Sequence, residues 1–241
     1  MQINHSKQLN KYSRVERCFT TKKGGNLAFH VNDETKRVVD NHDILSDYLN
    51  YETKTLVHMK QIHSDLVHIV DDADNFDNPP ACDALITNKK NIPLMVMVAD
   101  CAPVLFYDDK REVIAAAHAG RAGAFKNIVA NVVESFAKDF HCDVKNVSVS
   151  VGPSIGVCCY EVGVEIYEEA KELKLDYAIE RRNGGYYLNI RSVLKSQLLE
   201  AGVLDSNIGI SSECNRCQSD KYFSYRQNAA TGRFAGVIKL K

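Results

Sequence analysis

Residues 92–123 read IPLMVMVADCAPVLFYDDKREVIAAAHAGRAG and predict a buried strand followed by a hairpin. The first run, residues 92–99, is apolar, too short to cross a bilayer, and of a length that suits a buried strand. Residues 100–103 then break the ladder, because Pro103 has no backbone donor and favours an extended residue before it. Residues 104–107 are apolar and residues 112–117 are strand-like, and the two segments flank the polar cluster DDKR, which is typical of a hairpin turn.

The predicted hairpin places Cys101 and His118 at the same end. Cys101 lies at the irregular point beside the core strand, and His118 ends the second arm. Both residues lie toward the ends of the arms away from the turn, so the hairpin can bring them near each other. A third partner is needed to complete a site.

A glycine turn, AGRAG at 119–123, follows His118 and leads into a predicted helix. Its apolar residues recur at helical spacing, at positions 125, 128, 129, 132, 133, 136 and 140. Glycines let other groups approach the backbone, and a helix N-terminus presents free N–H groups to an anion. The turn is therefore a candidate anion-binding site.

The bulk composition indicates one enzyme-sized unit. The 241 residues are 45% hydrophobic, which supports a single catalytic domain over residues 1–241. Thirty basic and 31 acidic residues give a net charge of −1 without long like-charged blocks, so nucleic acid is not an expected partner. The N-terminus lacks a secretory apolar region and no run approaches ~20 apolar residues, so we expect a cytoplasmic protein without a membrane partner. In that compartment the eight cysteines are better explained as thiols or metal ligands than as disulfides.

Other segments give conventional predictions. Residues 55–70 predict two strands interrupted near 63–65, and His63 stands out because it lies at that break. The remaining elements expected in chain order are strands at 15–20, 146–151 and 186–190, helices at 35–49, 164–173 and 193–201, and a final strand after Arg233.

The cysteines outside residue 101 carry weaker signals. Cys158 and Cys159 are adjacent and are not expected to ligate one metal together, so packing is the simpler interpretation. Cys214 and Cys217 form a single Cys-x-x-Cys pair, whereas a zinc ribbon requires two such pairs. We therefore expect the pair to be dispensable for catalysis.

Six groups of residues occur in a fixed order along the chain. They are KQIH at 60–63, CDALIT at 82–87, ADCAPV at 99–104, HAG at 118–120, GPSIG at 152–156 with CYEVG at 159–163, and FSYR at 223–226 with TGR at 231–233. In this order they resemble the motifs of the YfiH-like family, also called the laccase-domain or multicopper-polyphenol-oxidase-like family. The resemblance covers the chain from about residue 57 to the C-terminus and implies an α+β (mixed α/β) fold, with packed mixed β-sheets flanked by helices, of the cytotoxic necrotising factor/YfiH-like kind.

The resemblance also implies an activity and a metal. Members of the family are described as purine nucleoside phosphorylases that split adenosine, inosine, guanosine or methylthioadenosine with phosphate, and they are also credited with adenosine deamination. The resemblance implies a catalytic zinc site formed by His63, Cys101 and His118. Two imidazoles and a thiolate suit Zn²⁺, and three ligands leave a fourth position open. Cu²⁺ is an alternative occupant, because it outcompetes Zn²⁺ for such ligands.

The chain departs from the family pattern at two places. The tryptophan common after HAG is missing, and the chain reads Arg121-Ala122-Gly123 with no tryptophan anywhere. Arg121 can supply a guanidinium from a shifted position. The second arginine often found after SYR is replaced by Gln227. Arg226 and Arg233 flank a glycine-containing loop, and the sequence leaves open whether they clamp an anion or are surface charges.

Three alternatives remain open at this point. A copper-dependent, laccase-like polyphenol oxidase needs several His-x-His pairs, and this chain has eight histidines and no such pair. A cysteine hydrolase would use Cys101 as nucleophile and His118 as base without a metal. A non-enzymatic structural zinc would need a fourth ligand from Cys82 or from the Cys214 and Cys217 pair. The preferred prediction is the zinc-dependent nucleoside enzyme, a monomer or homodimer with purine nucleosides and phosphate as its small-molecule partners.

Overall fold

The computed structural model of the chain describes residues 3–4 and 8–241. The N-terminal stretch used for the localisation prediction therefore lies partly outside the described residues. Within them the helices are α1 (Thr35–Leu49), α2 (Arg121–Phe125), α3 (Ile128–Lys138), α4 (Val164–Glu172) and α5 (Ile190–Glu200). The strands are β1 (Ile3–Asn4), β2 (Val15–Thr20), β3 (Val67–Ile69), β4 (Ala84–Thr87), β5 (Leu94–Val98), β6 (Ala102–Asp108), β7 (Val113–Ala119), β8 (Val147–Val151), β9 (Glu161–Val162), β10 (Ile179–Arg182), β11 (Gly185–Leu188), β12 (Ile208–Ile210) and β13 (Phe234–Leu240).

These strands form three sheets, one of them mixed, and with the helices they confirm the predicted α+β (mixed α/β) class. The largest sheet has six strands in the order β12-β8-β6-β7-β4-β3, and β12-β8 and β4-β3 are its parallel pairs. A second sheet has the order β1-β2-β13-β5 and is antiparallel throughout. A small three-stranded sheet, β10-β11-β9, lies apart from these two.

The two larger sheets pack face to face, and helices cover their outer faces. Successive side chains of a strand point to opposite faces, so β6 contributes to two cores. Leu105 and Tyr107 of β6 pack against residues of the four-stranded sheet such as Val96 and Phe234. Val104 and Phe106 face the opposite way, into a core that contains apolar residues of α3 and α5. A third core joins the far side of the four-stranded sheet to α1. The fold is thus a layered arrangement of helices, sheet, sheet and helix.

Most of the predicted elements are confirmed. Strand β2 and helix α1 begin and end at the predicted residues. The predicted hairpin is β6 and β7, paired antiparallel from Ala102 with Ala119 to Asp108 with Val113. Helix α5 begins three residues before the predicted start, where the Asn189 side chain accepts a hydrogen bond from the Ser192 N–H and caps the helix.

Two predictions were wrong in detail. The single helix expected after the glycine turn is split into α2 and α3, because Asn127 adopts the left-handed conformation with φ of 64°. The first of the two strands expected within residues 55–70 is reduced to isolated bridges at Val57 and Lys60, and only β3 forms. Among the described residues, no helix has the length and apolar character needed to cross a membrane.

Candidate metal centre

The β6–β7 hairpin brings Cys101 and His118 together, as the sequence predicts. Cys101 directly precedes β6, and His118 pairs with Pro103 in the register of the hairpin. His63 reaches the same place from the loop before β3, where its own backbone has a φ of 58°. The Cys101 sulfur and one ring nitrogen of each histidine all lie within 4.8 Å of one another. The three residues named from sequence therefore form one cluster of candidate ligands.

Asp83, at the start of β4, organises this cluster. Its buried carboxylate accepts hydrogen bonds from the backbone N–H groups of Ile62 (3.2 Å), His63 (3.1 Å) and Ser64 (2.6 Å). It also accepts from the Ser64 hydroxyl at 2.7 Å. These bonds hold the His63 loop in its left-handed turn. Burial alone would raise the pKa of Asp83, but the hydrogen bonds from His118 and Ser64 hold it at about 2, so the group is a carboxylate.

The same carboxylate orients His118. His118 Nδ1 lies 2.8 Å from Asp83 Oδ1, and because Asp83 is ionised, Nδ1 must be the donor. The Nε2 atom is therefore left to face the cluster. A carboxylate–histidine pair of this kind is the usual outer support of a metal-bound imidazole, where it fixes the tautomer and raises ligand basicity. Sequence reasoning missed this role of Asp83, although the CDALIT motif contains it.

Charge couples Cys101 to His118 before any metal binds. Burial opposes a thiolate, but the neighbouring His118 imidazolium lowers the pKa of Cys101 to about 6. Burial likewise opposes an imidazolium, but the Cys101 thiolate and the Asp83 carboxylate raise the pKa of His118 to about 9. The cluster therefore favours the thiolate, which is the form that binds a metal, and a bound metal would displace the proton from His118 Nε2.

The local packing fits a small ion bound by these three residues. Gly120 follows the hairpin, and a Cβ atom at that position would lie 3.0 Å from the Cys101 sulfur and 3.3 Å from His63 Cδ2. The glycine thus leaves the space in which the ligands converge. The His63 and His118 rings meet edge to face, with centroids 4.8 Å apart. Two imidazole nitrogens and a thiolate form a donor set that suits zinc. His63 is exposed, so the cluster is open on one side.

That open side faces a cleft of about 680 Å³, a volume typical of a small-molecule site. All six residues proposed from sequence line this cleft, including Arg121, Arg226 and Arg233. Its apolar and aromatic walls are formed by Phe29, Met97, Ile155, Tyr160, Ile190 and Tyr225. The cleft therefore combines flat apolar surfaces with positive charge.

The three arginines are held in place by other contacts. Arg121 pairs with the Glu169 carboxylate at 2.5 Å. The Arg226 guanidinium donates to the backbone carbonyl of Glu161 at 2.7 Å and lies over the Tyr160 ring. Arg233 donates to its own loop, and burial lowers its pKa. Arg121 and Arg226 also line a neighbouring cavity of about 550 Å³, which adjoins the cleft at Tyr160.

The glycines of the turn have packing roles in the structure, and the anion-binding site predicted there stays a prediction. Gly123 lies inside α2, and a Cβ there would come within 2.9 Å of the Ser64 backbone carbonyl. Gly120 is needed for the approach of the sulfur, as described above. Helix α2 has only five residues, so it offers little aligned dipole to an anion. These two glycines let α2 pack closely against the His63 loop and the ligands.

Asp100 is a second residue that sequence reasoning missed. It precedes Cys101, lines the cleft, and has a φ of 88°, which is uncommon for a residue other than glycine. Its Oδ2 accepts the Arg226 backbone N–H at 2.7 Å, whereas its buried Oδ1 has no hydrogen-bond partner among the described residues. Burial raises its pKa, against the hydrogen bonds that it accepts. Observed backbone strain next to a cleft is a recognised signal of function.

The remaining cysteines do not join the centre. Cys82 is buried in the core between the two large sheets. Cys214 and Cys217 lie together with Cys158 and Cys159 in a separate group. The cluster of His63, Cys101 and His118 thus has no fourth protein ligand among the described residues, and a closed structural site is not supported there.

Comparisons with known proteins agree with this architecture. A family model described as multi-copper polyphenol oxidoreductase laccase matches residues 16–241. A protein of Corynebacterium glutamicum named purine nucleoside phosphorylase is 35% identical, with 94% of each chain covered. A protein from an unknown prokaryotic organism named adenosine deaminase RL5 is 32% identical, over 90% of this chain and 87% of that one. The crystal structure of the hypothetical protein YfiH from Bacillus licheniformis superposes with a TM-score of 0.91 at 31% identity, covering 96% of this chain and 94% of that one.

Proposed function

Because the chain belongs to the family described as multi-copper polyphenol oxidoreductase laccase, which is the YfiH-like family, we propose that it is a zinc-dependent purine nucleoside phosphorylase. Its substrates would be adenosine, inosine, guanosine or methylthioadenosine, together with phosphate. The products would be the free base and the ribose 1-phosphate, or its methylthio derivative. The catalytic unit would be a single domain over residues 1–241.

One observation carries the proposal most directly. Three candidate zinc ligands, His63, Cys101 and His118, converge at the wall of a cleft that also contains aromatic side chains and arginines. A purine nucleoside offers a flat ring for Tyr160 or Tyr225 to contact, and phosphate offers oxygens for a guanidinium. Bound zinc would supply Lewis acidity at the open fourth position. Asp83 supports the proposal, because it holds His118 in the tautomer that leaves Nε2 free to bind a metal.

Phosphate would bind between Arg121 and Arg226. Arg121 and Arg226 line both the cleft and the neighbouring cavity, so an anion between them would reach the sugar from the cavity side. Arg233 lies on the cleft wall and would add positive charge. In the reaction a phosphate oxygen forms a bond to C1′ of the ribose. The C1′–N9 bond breaks, and its electron pair leaves with the purine.

Asp100 is the proposed source of the proton that the leaving purine takes up. Its Oδ1 atom is buried and unpartnered among the described residues, and its raised pKa favours the protonated form compared with an ordinary aspartate. After transfer, the carboxylate would still be stabilised through Oδ2 by the Arg226 N–H.

Adenosine deamination is the second candidate, favoured by the relative named adenosine deaminase RL5. It would use the same open position for attack of water on the purine ring. The laccase alternative has less support, because the candidate metal groups among residues 3–4 and 8–241 contain no more than two histidines each. The cysteine-hydrolase alternative keeps Cys101 and His118 but dispenses with the metal.

The test is to incubate zinc-loaded protein with adenosine, with and without phosphate, and to separate adenine, inosine and hypoxanthine by chromatography. We expect adenine and ribose 1-phosphate to form only when phosphate is present. Inosine formed equally with and without phosphate would replace phosphorolysis by deamination.

The control is the same protein after removal of the metal, assayed before and after zinc is added back. Activity that returns with zinc would support the metal-dependent enzyme. A metal-free preparation that consumes no nucleoside but hydrolyses esters or amides would support the cysteine hydrolase. Oxidation of polyphenols that requires copper would support the laccase alternative.

A further inference from the structure

Four cysteines form a second cluster, separate from the first centre. The sulfurs of Cys158, Cys159, Cys214 and Cys217 all lie within 4.8 Å of one another. The Cys217 sulfur is 3.5 Å from that of Cys158 and 3.4 Å from that of Cys159. All four are free cysteines. The two pairs come from segments more than 50 residues apart in the chain.

The local backbone explains how two adjacent cysteines serve one cluster. In an extended segment, the side chains of Cys158 and Cys159 would point to opposite faces and could not converge on one ion. The chain instead turns here, and the N–H groups of Cys159 and Tyr160 both donate to the Gly156 carbonyl, at 2.9 and 3.0 Å. A turn curls the backbone, so neighbouring side chains can converge.

The second pair lies on a similar turn. The Gln218 N–H donates to the Cys214 carbonyl at 3.0 Å, so the Cys-x-x-Cys segment curls around its own sulfurs. Residue 154 forms a parallel bridge with Cys214, and the Asn215 N–H donates to the Ser154 carbonyl at 3.2 Å. These bonds hold the two turns side by side and fix the distance between the pairs.

We propose that Cys158, Cys159, Cys214 and Cys217 bind one structural Zn²⁺ ion. Four thiolates around zinc at about 2.3 Å place the sulfurs roughly 3.8 Å apart, and a closed all-cysteine tetrahedron is a common structural zinc site. The observed separations of 3.4 and 3.5 Å are close to that value. They are much longer than the ~2.05 Å of a disulfide. A two-iron cluster would spread its thiolates over two metal ions, whereas these four sulfurs stay within 4.8 Å.

Groups around the cluster are arranged to support thiolate ligands. The Gly156 N–H donates to the Cys214 sulfur at 3.2 Å, as outer hydrogen bonds do in metal sites. A Cβ at Gly156 would lie only 3.1 Å from the Cys158 sulfur and 3.2 Å from Cys214 Cβ, so this position needs a glycine.

Arg191 contributes a compensating charge. Four thiolates and one Zn²⁺ ion carry a net charge of −2, which a nearby cation offsets. The Arg191 guanidinium is anchored by the backbone carbonyls of Ser154 and Glu213, beside the cluster. Burial lowers the pKa of Arg191, and attraction to Cys214 and Cys158 acts in the opposite direction.

The zinc would join two segments that contribute to the cleft. One segment runs from Ile155 to Tyr160, and both of these residues line the cleft. The other continues from Cys217 to Tyr225 and Arg226, which line the cleft as well. A metal that cross-links the segments would restrict their relative motion and hold the Arg226 guanidinium over Tyr160.

The test is to count zinc by elemental analysis in protein purified from zinc-supplemented medium. We expect about two zinc ions per chain in the unaltered protein and about one in a Cys158→Ser/Cys217→Ser variant. Cys142→Ser is the matched control, because Cys142 belongs to neither cluster, and it should keep about two. A double variant that retains the zinc content of the unaltered protein would overturn the proposal.

The proposal stays distinguishable from the catalytic zinc, because His118→Ala removes a ligand of the other centre only. If the catalytic assignment is wrong and this one is right, the protein holds one zinc that survives His118→Ala and is lost in the double cysteine variant. If only this proposal is wrong, the single zinc is lost in His118→Ala.

A second measurement avoids any folding defect of the variants. The unaltered protein is alkylated with iodoacetamide before and after its metal is removed by a chelator, and its peptides are identified by mass spectrometry. Cys158 and Cys217 are exposed, so we expect them to be alkylated rapidly only after zinc is removed. Equal alkylation in both states, a mass that shows disulfides, or iron in place of zinc would each overturn the proposal.

Discussion

The two cysteine-containing clusters differ in donors, in exposure and in what surrounds them. The centre of His63, Cys101 and His118 has mixed nitrogen and sulfur donors, a buried carboxylate behind it and a cleft in front. The cluster of four cysteines has only sulfur donors and lies on two turns near the surface, with two of its four residues exposed. Three ligands with an open position are typical of catalytic zinc, and four sulfurs are typical of structural zinc.

Under the two proposals, the residues that perform the chemistry and the residues that stabilise the fold belong to separate clusters. An open site needs groups that set tautomer and charge, which Asp83 does for His118. A closed site needs only that its ligands converge, which hydrogen-bonded turns achieve for the four cysteines. The comparison therefore predicts that variants at the first centre abolish activity, whereas variants at the second change stability and substrate affinity.

The largest effect should come from His118→Ala. Removing this ligand and the partner of Asp83 should lower kcat/KM for nucleoside by about 10³-fold or more, because the Lewis acid and its orientation are lost together. Steady-state kinetics with inosine and phosphate measure this directly. Cys217→Ser is the contrasting variant and should keep most of its kcat. Equal losses of kcat in the two variants would break the distinction between a catalytic and a structural cluster.

Asp83→Asn should have the next largest effect. The amide keeps the shape but loses the charge that fixes His118, and loss of such outer support commonly costs about 10–100-fold in metal affinity or activity. Zinc affinity is measured by competition with a chromogenic chelator. Asp109→Asn is a matched control, because the Asp109 carboxylate also accepts a hydrogen bond, from the Tyr107 hydroxyl at 2.9 Å, and belongs to none of the candidate metal groups. If both variants behave alike, Asp83 has no special role in orienting a ligand.

Sequence patterns placed two residues of the first cluster together, and the family resemblance supplied the third. The hairpin follows from two apolar runs around a polar turn, and its register then places Cys101 beside His118. His63 stood out because its predicted strand broke there, and the structure places it in a left-handed turn. Asp83 was harder to identify, because a carboxylate at the start of an apolar strand gives no sign of its partners. Its hydrogen bonds reach residues 19 to 35 positions away.

The second cluster was beyond sequence reasoning for a related reason. Cys158 and Cys217 are 59 residues apart, and their contact depends on two turns that meet only in the folded chain. The adjacency of Cys158 and Cys159 argued against a shared metal, whereas the hydrogen bonds to Gly156 impose a turn that lets their side chains converge. Local periodicity also missed the break at Asn127, because a single left-handed residue does not disturb the apolar pattern.

Two glycine-to-alanine variants compare how closely the chain packs against the sulfur atoms of each cluster. In Gly120→Ala the new methyl group would lie 3.0 Å from the Cys101 sulfur, and in Gly156→Ala 3.1 Å from the Cys158 sulfur. Overpacking of this kind costs about 1–3 kcal/mol, which is about 5- to 150-fold in zinc affinity at the cluster concerned. Chelator competition should therefore show one weakened zinc in each variant, with turnover reduced mainly in Gly120→Ala. Loss of turnover in Gly156→Ala alone would reverse the two assignments.

The smallest effect is expected for Arg226→Lys. This residue lines the cleft and belongs to the segment that the cysteine cluster would anchor. Lysine keeps the positive charge, but it lacks the planar group that donates to the Glu161 carbonyl and lies over Tyr160. We expect the KM for phosphate to rise by a few-fold, because the cation remains but its bidentate geometry is lost. The KM for nucleoside should change less, since the backbone N–H of residue 226 still holds Asp100. Kinetics with phosphate varied at saturating inosine separate the two constants.

Arg181→Lys is the matched control, because Arg181 also stacks on tyrosines, at Tyr167 and Tyr186, and does not line the cleft. If Arg226→Lys raises the KM for nucleoside and leaves that for phosphate unchanged, Arg226 contacts the purine side of the cleft, and phosphate must bind through Arg121 or Arg233.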